Sequence, residues 1–284
     1  MNRDEWFARQ FPAGSLTVAD VLRRTGWVHT AGGTGPYLSL KARIPSITRQ
    51  YIDHLAYQTF EVLELPSVRE STMLVPREDA ALALEAGRRA MNKRLGKLDI
   101  DAEKIDLLAD RILKALGDGT RSAGQIRSDI PPKLITDLGE AGKKLGFSST
   151  LPIALRLLHA TGRILRIGED LRLDAKRYFY RRWPDSLPLD KAPDDIDRAL
   201  AERFLSWAAP ATVEDFAFFA GIGKTAAKKP LVRLPQPPVL PVVRPKGVML
   251  LPFRDNYFEL HRDSDEATKG HNTIVTDGEL CGLW

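Results

Sequence analysis

The stretch LPIALRLLHATGRILRIGEDLRLDAKRYFYRR, residues 151–182, carries two hydrophobic periodicities in succession, and the change between them decides the fold. Its first twelve residues set Leu151, Ala154, Leu155 and Leu158 at helical spacing, which makes one buried stripe. Arg156, His159 and Arg163 fall at i, i+3 and i+7, away from that stripe. From Arg163 to Ile167 polar and apolar residues alternate, Gly168-Glu169-Asp170 can turn, and Leu171 to Leu173 alternates again, which predicts a β-hairpin. A helix running straight into a basic hairpin is the second half of a winged helix. Two helices should precede it.

Both are legible. EKIDLLADRILKALG (103–117) places Ile105, Leu108, Ile112 and Leu116 on one face, a helix of about four turns. Gly117 and Gly119 end it, Ser122 is a ready N-cap for SAGQIRSDI, and Pro131-Pro132 stops that second helix. In a winged helix the third helix enters the major groove and the wing meets phosphates, so cations are needed on both elements. Residues 143–182 hold ten Lys or Arg against three acidic residues, while the whole chain is only +5. The positive charge is therefore local, and it marks Arg156, His159, Arg163, Arg166, Arg172, Lys176 and Arg177 as candidate DNA contacts. A solvated basic face, or an RNA or protein partner, is the alternative on charge alone.

Composition bounds the rest. At 284 residues, 43% hydrophobic and 28% charged, the chain suits several small globular units rather than a disordered segment. The N-terminal MNRDEWFARQF has charges where a signal peptide needs an apolar core, and no run approaches the ~18 apolar residues of a membrane span. A cytoplasmic protein with no membrane partner is expected, taken as a monomer. The single cysteine, Cys281, excludes an internal disulfide, and the five histidines are scattered, so no metal and no cofactor are expected.

Two further units flank the basic one. Upstream the chain reads as helix (15–25), a glycine-rich loop containing Gly32, Gly33, Gly35 and Tyr37, helix (46–60), two strands (61–65 and 71–75) and a helix (77–95). Downstream, in ATVEDFAFFAGIGKTAAKKPLVRL (211–234), Thr212 can cap a helix with Asp215 at N3, and Gly221 suits the turn before a short helix bearing Lys224, Lys228 and Lys229. Lys224 and Lys228 join the candidate DNA contacts. GIGKT resembles the end of a phosphate-binding loop, but the glycine required five positions before Gly223 is Phe218, which excludes nucleotide hydrolysis there. AGGTGP fails the same test. Six prolines between residues 230 and 245 predict an extended linker, followed by strands over 248–263 and 272–284 with a turn at Asp277-Gly278. The chain ends on the apolar strand at Trp284.

The fold class expected is α+β, mainly helical: tandem winged-helix/helix-turn-helix units followed by a partial C-terminal β-domain. The divisions are 15–98, a winged-helix-like unit with the glycine-rich loop; 102–183, the winged helix with the basic helix and wing; 190–230, a third helix-turn-helix unit; 231–245, the proline-rich linker; and 246–284, an incomplete β-domain.

Five blocks in order, GPYLSLKARIPSITRQYIDHL, LVPREDAALAL, LPIALRLLHATGRILR, APATVEDFAFFAGI and MLLPFRDNYF with TIVTDGELCGLW, resemble the AlkZ/YcaQ-like winged-helix DNA glycosylase family, from about Thr17 to Trp284. The resemblance implies tandem winged-helix units, a C-terminal β-barrel, double-stranded DNA, damaged in the excision reaction, as partner, and release of alkylated or crosslinked bases. It also implies a catalytic Gln-x-Gln or Gln-x-Asp pair ahead of Tyr37, which places the attacking water and offsets the charge developing on the sugar. Those positions are His29 and Ala31 here, so the motif is degenerate. Alanine can do neither task. His29 can orient a water through its acceptor nitrogen, or it can be a packed structural residue. Asp20 and Tyr37 are the nearest other polar candidates, suited to a helix surface and to packing. Two functions stand open: a glycosylase with an altered catalytic pair, and a non-catalytic winged-helix regulator or interaction module.

Overall fold

The computed structural model describes residues 3–30, 33–98, 100–235, 237–238, 240, 247–261 and 270–284. The described chain is α+β and mainly helical, with three small antiparallel sheets. Helix α1 (Arg3–Gln10) buries Trp6 and Phe7. Helix α2 (Val18–Thr25) opens on a capping box in which Thr17 and Asp20 satisfy one another's backbone N–H, so Asp20 is spent on the cap. Strand β1 (Val28–His29) follows, and the chain turns at Gly33, φ 75°, into α3 (Gly35–Arg43). This corrects the expectation of a glycine-rich loop: Gly35 and Tyr37 lie in the first turn of a helix. Pro36 between them fits there because the first helical N–H groups have no intrahelical acceptor. Helix α4 (Arg49–Tyr57), strands β2 (Val62–Pro66) and β3 (Thr72–Pro76), and α5 (Ala80–Leu95) complete the N-terminal part. Its sheet runs β1-β3-β2, with His29 opposite Met73.

The middle part contains α6 (Ala102–Leu116), β4 (Arg121–Ser122), α7 (Ala123–Asp129), α8 (Gly139–Lys144), α9 (Thr150–Ala160), β5 (Ile164–Gly168) and β6 (Tyr178–Arg182). Ile105, Leu108, Ile112 and Leu116 are buried as their spacing requires, and Ser122 caps α7. Sequence periodicity does not reveal α8, a short helix without an apolar stripe. The hairpin also differs from expectation. Its return strand is β6 rather than residues 171–173, because Leu173 is wholly buried against α3 and α4, where its N–H donates to Tyr37 Oη (2.9 Å) and Asp53 Oδ1 (3.0 Å). The alternation at 171–173 marks a loop pinned to the N-terminal part, and the sheet order is β4-β6-β5.

The C-terminal part begins with α10 (Ile196–Ala208), α11 (Val213–Ala220) and α12 (Lys224–Leu231). The Thr212–Asp215 capping box forms, and Gly221 takes the left-handed conformation, φ 66°. Most of the proline-rich stretch, residues 236, 239 and 241–246, lies outside the described residues. Strand β7 (Val248–Leu251) pairs with β8 (Thr273–Thr276), which pairs with β9 (Glu279–Leu283) around Asp277-Gly278. Between β7 and β8 the expected strand is instead a single helical turn, α13 (Asn256–Glu259).

One hydrophobic core joins segments far apart in sequence: Trp6 and Phe7 of α1, Trp27 just before β1, Leu65 and Met73 of the first sheet, Phe204 and Trp207 of α10, Phe216 of α11, Tyr257 of α13 and Val275 of β8. Helix α5 crosses the β2–β3 hairpin so closely that a Cβ on Gly87 would stand 2.6 Å from the Pro66 carbonyl oxygen. Backbone cannot yield as a side chain can. Gly87→Ala should therefore destabilise the fold by about 1–3 kcal/mol despite the better helix propensity of alanine. Urea unfolding of the two proteins checks this: an alanine variant as stable as wild type would contradict the close approach.

Candidate functional site

His29 is placed by the backbone just before it, which is clasped from two sides. Gln10 Nε2 donates to the carbonyls of Thr25 and Trp207, both at 3.0 Å, and Asn256 Nδ2 donates to those of Thr25 and Trp27, both at 3.1 Å. Trp27 Nε1 donates to Asp79 Oδ2 at 2.8 Å, fixing the indole beneath β1. Gly26, φ 105°, has no room for more: an added Cβ would lie 2.8 Å from Asn256 Nδ2.

Asn256 begins α13, and α13 is held by a buried ion pair. Arg43 grips Asp255 with both terminal nitrogens, at 2.9 and 2.8 Å, and Ser39 Oγ donates to the same carboxylate at 2.6 Å. Asp255 is the N-cap of the turn and accepts from the Tyr257 N–H. Burial pushes its carboxyl up, but the Arg43 guanidinium and the Ser39 hydroxyl outweigh this and hold it below its ordinary value.

One turn later, Glu259 meets His29. The carboxylate Oε2 is 3.3 Å from His29 Nε2 and 2.7 Å from Arg69 Nη2, and Oε1 is 3.7 Å from Arg254 Nε. The imidazole contact is close but not a directed hydrogen bond, and neither ring nitrogen has a hydrogen-bond partner among the described residues. Burial raises the Glu259 carboxyl, yet His29 and Arg69 overcome it and hold it at about 2. Glu259 is thus ionised at neutral pH. The side chains of His29 and Glu259 are 3% and 7% exposed, and that of Arg69 is 22% exposed. Arg69 sits at the tip of the β2–β3 hairpin, its guanidinium 4.4 Å from the Phe218 ring centre. Both Arg69 and Glu70 have positive φ, 55° and 58°, and they face opposite ways: Arg69 to Glu259, Glu70 to Arg94 at 2.7 Å.

The candidate DNA contacts divide into three groups. Two are withdrawn from solvent. His159 is buried, correcting its expected place off the apolar stripe, and burial beside Arg166 pushes its imidazole down to about 3. Arg166 bonds Glu64 at 2.6 Å and stacks over Tyr178, the ring centre 4.1 Å away. Both line a cavity of about 180 Å³ with Arg156, Tyr180 and Glu70. Several others are paired at the surface: Arg163 with Asp110 (3.4 Å), Arg172 with Asp174 (2.8 Å) and Lys224 with Glu214 (3.0 Å). Arg156, Lys176, Arg177 and Lys228 remain exposed, Arg177 lying 3.6 Å from Glu169 and Arg156 3.9 Å from Glu70. Tyr37 is a clasp: its buried hydroxyl donates to Asp53 at 2.5 Å and accepts from Leu173, and burial with Asp53 raises its pKa, keeping it protonated. Ala31 and Gly32 lie outside the described residues.

Glu259, Arg69 and Arg254 carry the site's charge and were not found from sequence. Read as strand, 248–263 gave Glu259 no reason to face His29. Asp255-Asn256 ahead of an apolar run is an N-cap signal that identifies the turn, but no local pattern pairs it with residue 29.

Glu259 gives the site a pH signature. Its folded pKa of about 2 lies below its ordinary value of 4.5, so its stabilising contribution is complete above 4.5 and is lost as pH falls through 2. The stability difference between wild type and Glu259→Gln should therefore shrink across that window; a difference constant with pH would contradict the ionised, compensated carboxylate.

A family model described as DNA glycosylase AlkZ-like matches residues 22–271. Among solved structures, Streptomyces sahachiroi DNA glycosylase AlkZ aligns with a TM-score of 0.67 at 14% identity, over 99% of this chain and 87% of that one, a likeness of fold alone. No curated protein matches the chain. The family match runs from α2 through α13, taking in β1, α3, the β2–β3 hairpin and the turn that holds Glu259, and on this extent the chain belongs to the AlkZ-like DNA glycosylase family.

Proposed function

We propose that this protein acts on double-stranded DNA as a glycosylase, hydrolysing the N-glycosidic bond of a base already made cationic by ring alkylation. The observation that carries the reading is the contact between His29, at the position of the family's catalytic pair, and the ionised Glu259. The ionised state of Glu259 supports this lesion class. Glu259 is ionised and Arg69 and Arg254 keep their charge, so none of the three is an effective acid for an uncharged leaving base. A base carrying a ring charge needs none, because the C1′–N bonding pair neutralises it on departure. Water then forms the new C1′–O bond and gives its proton to His29. Glu259 stabilises both the imidazolium and the positive charge on the sugar.

Supporting the DNA-binding part, residues 102–183 have the helices and the β4-β6-β5 sheet that a winged helix requires, with α9 as recognition helix and Arg156, Lys176 and Arg177 exposed for phosphates. Residues 15–98 and 190–230 are the flanking helix-turn-helix-like units of the same tandem plan, Lys228 being the exposed cation of the latter, and 246–284 is the β-domain.

A second reading, recognition without excision, is favoured by a specific observation. His29 and Glu259 are almost wholly buried, and Arg69 with Arg254 leaves the cluster positive rather than negative. In that reading the dyad braces α13 and the protein is a regulator or interaction module. Base release from an N7-alkylated duplex separates the two, with binding measured in the same tubes. The glycosylase reading expects release by wild type and a fall of about 100-fold or more in His29→Ala and Glu259→Gln with binding retained. Binding without release by the wild type would establish recognition alone.

A further inference from the structure

We infer that the DNA strand is held on the outer face of α5, by a phosphate track that ends at the His29–Glu259 site. The inference rests on the DNA-acting reading above and adds a surface to it. Arg89 and Lys93 lie four residues apart on one face of α5, Lys97 follows in the turn just past the last helical residue, Leu95, and all three are exposed. With Arg69 and Arg94 they line an open cleft of about 630 Å³ whose carboxylates are Glu70 and Asp197. Arg69, Arg94 and Arg89 stand against Glu259, Glu70 and the Glu85 and Asp197 carboxylates, so the uncompensated positive charge of the cleft is that of Lys93 and Lys97.

The state of those cations separates this cleft from the basic segment that the sequence emphasises. Across residues 163–172, Arg163, Arg166 and Arg172 each stand against a carboxylate, so part of the local charge is cancelled within the fold. The two lysines, Lys93 on α5 and Lys97 just past it, are open to a ligand. Lys93 Nζ reaches only the Gly221 carbonyl, at 3.3 Å, and Lys97 has no ion pair among the described residues. Arg89 shares Glu85 with Arg88 and touches Asp197 at 3.3 Å, a solvated arrangement worth little and readily exchanged for phosphate.

Dimensions and direction agree with a nucleic-acid strand. Along α5, Arg89 to Leu95 spans about 9 Å at ~1.5 Å per residue, between two and three steps of a strand whose phosphates advance ~3.4 Å along the axis, with Lys97 in the turn beyond. Arg69 lines the same cleft and also bonds Glu259 at 2.7 Å. A backbone following α5 is therefore led to the hairpin tip that borders the candidate site.

The test measures binding of the full chain to a short labelled duplex, alkylated and unmodified, from about 50 to 200 mM salt. The variants are Lys93→Ala/Lys97→Ala at the C-terminal end of α5 and the turn after it (the α5 pair), and Lys176→Ala/Arg177→Ala on the middle part. Each phosphate-bound lysine removed should lower the slope of log K against log salt by about 1, equally for both duplexes. The inference expects the α5 pair to reduce the slope by about 2. An α5 variant binding with the wild-type slope overturns the track while leaving DNA binding intact. A wild-type protein that binds neither duplex overturns the DNA-acting reading itself, and the track with it. All four lysine and arginine positions are exposed, so loss of binding with an unchanged melting curve is a loss of contacts.

Discussion

The bidentate pair of Arg43 and Asp255 joins two segments more than two hundred residues apart, and the candidate site is assembled around it. Neither charge could stand alone where it lies: both side chains are 1% exposed or less, and breaking such a pair costs about 3–5 kcal/mol. Arg43 is the last residue of α3, and Asp255 caps α13. The pair thereby sets the short turn α13 against α2, β1 and α3. Asn256 then takes the backbone of residues 25–27, and Glu259, one turn on, is delivered to His29. A four-residue helix has too few internal hydrogen bonds to persist by itself. Its geometry is imposed by the ion pair at its start and by the carboxylate contacts at its end.

Charge in this protein is disposed in two ways that the sequence does not distinguish. Arg166 is drawn into the fold by Glu64, and the same environment keeps His159 neutral, so two of the residues expected to touch DNA support the α9–hairpin junction instead. Other cations, such as Lys93 on α5 and Lys97 just beyond it, are exposed and have no ion pair among the described residues, Lys93 reaching only the Gly221 carbonyl. Only the second kind can exchange counterions for phosphate at small cost. A sum of Lys and Arg along the chain weights both kinds equally.

The β2–β3 hairpin connects these regions. Its tip turns Arg69 toward Glu259 and Glu70 toward Arg94, with consecutive residues in a left-handed conformation that non-glycine residues seldom adopt. Satisfied ion pairs on both sides offset the conformational cost.

Local rules determined much of the fold by themselves. The apolar stripe of α6, the capping boxes at Thr17, Ser122 and Thr212, the left-handed Gly221 and the Asp277-Gly278 hairpin turn each follow from a short window, because the physics involved is a hydrogen bond or a dihedral preference within about four residues. His29 was a candidate on different grounds, the resemblance to the glycosylase family, which places a catalytic pair by counting back from Tyr37. Tertiary structure alone decided what those residues do. Leu171 to Leu173 alternates like a strand but is fixed as a loop by Tyr37 and Asp53; His159 is off the leucine stripe yet buried, since α9 is covered on more than one side; and residues 256–259, with strand-like composition, form a helical turn because Asp255 is held by Arg43. The partner of His29 could not be read from the chain either, since a contact across some 230 residues leaves no periodicity in any window. Burial and long-range pairing set the charge state of Glu259, and with it the chemistry open to the site.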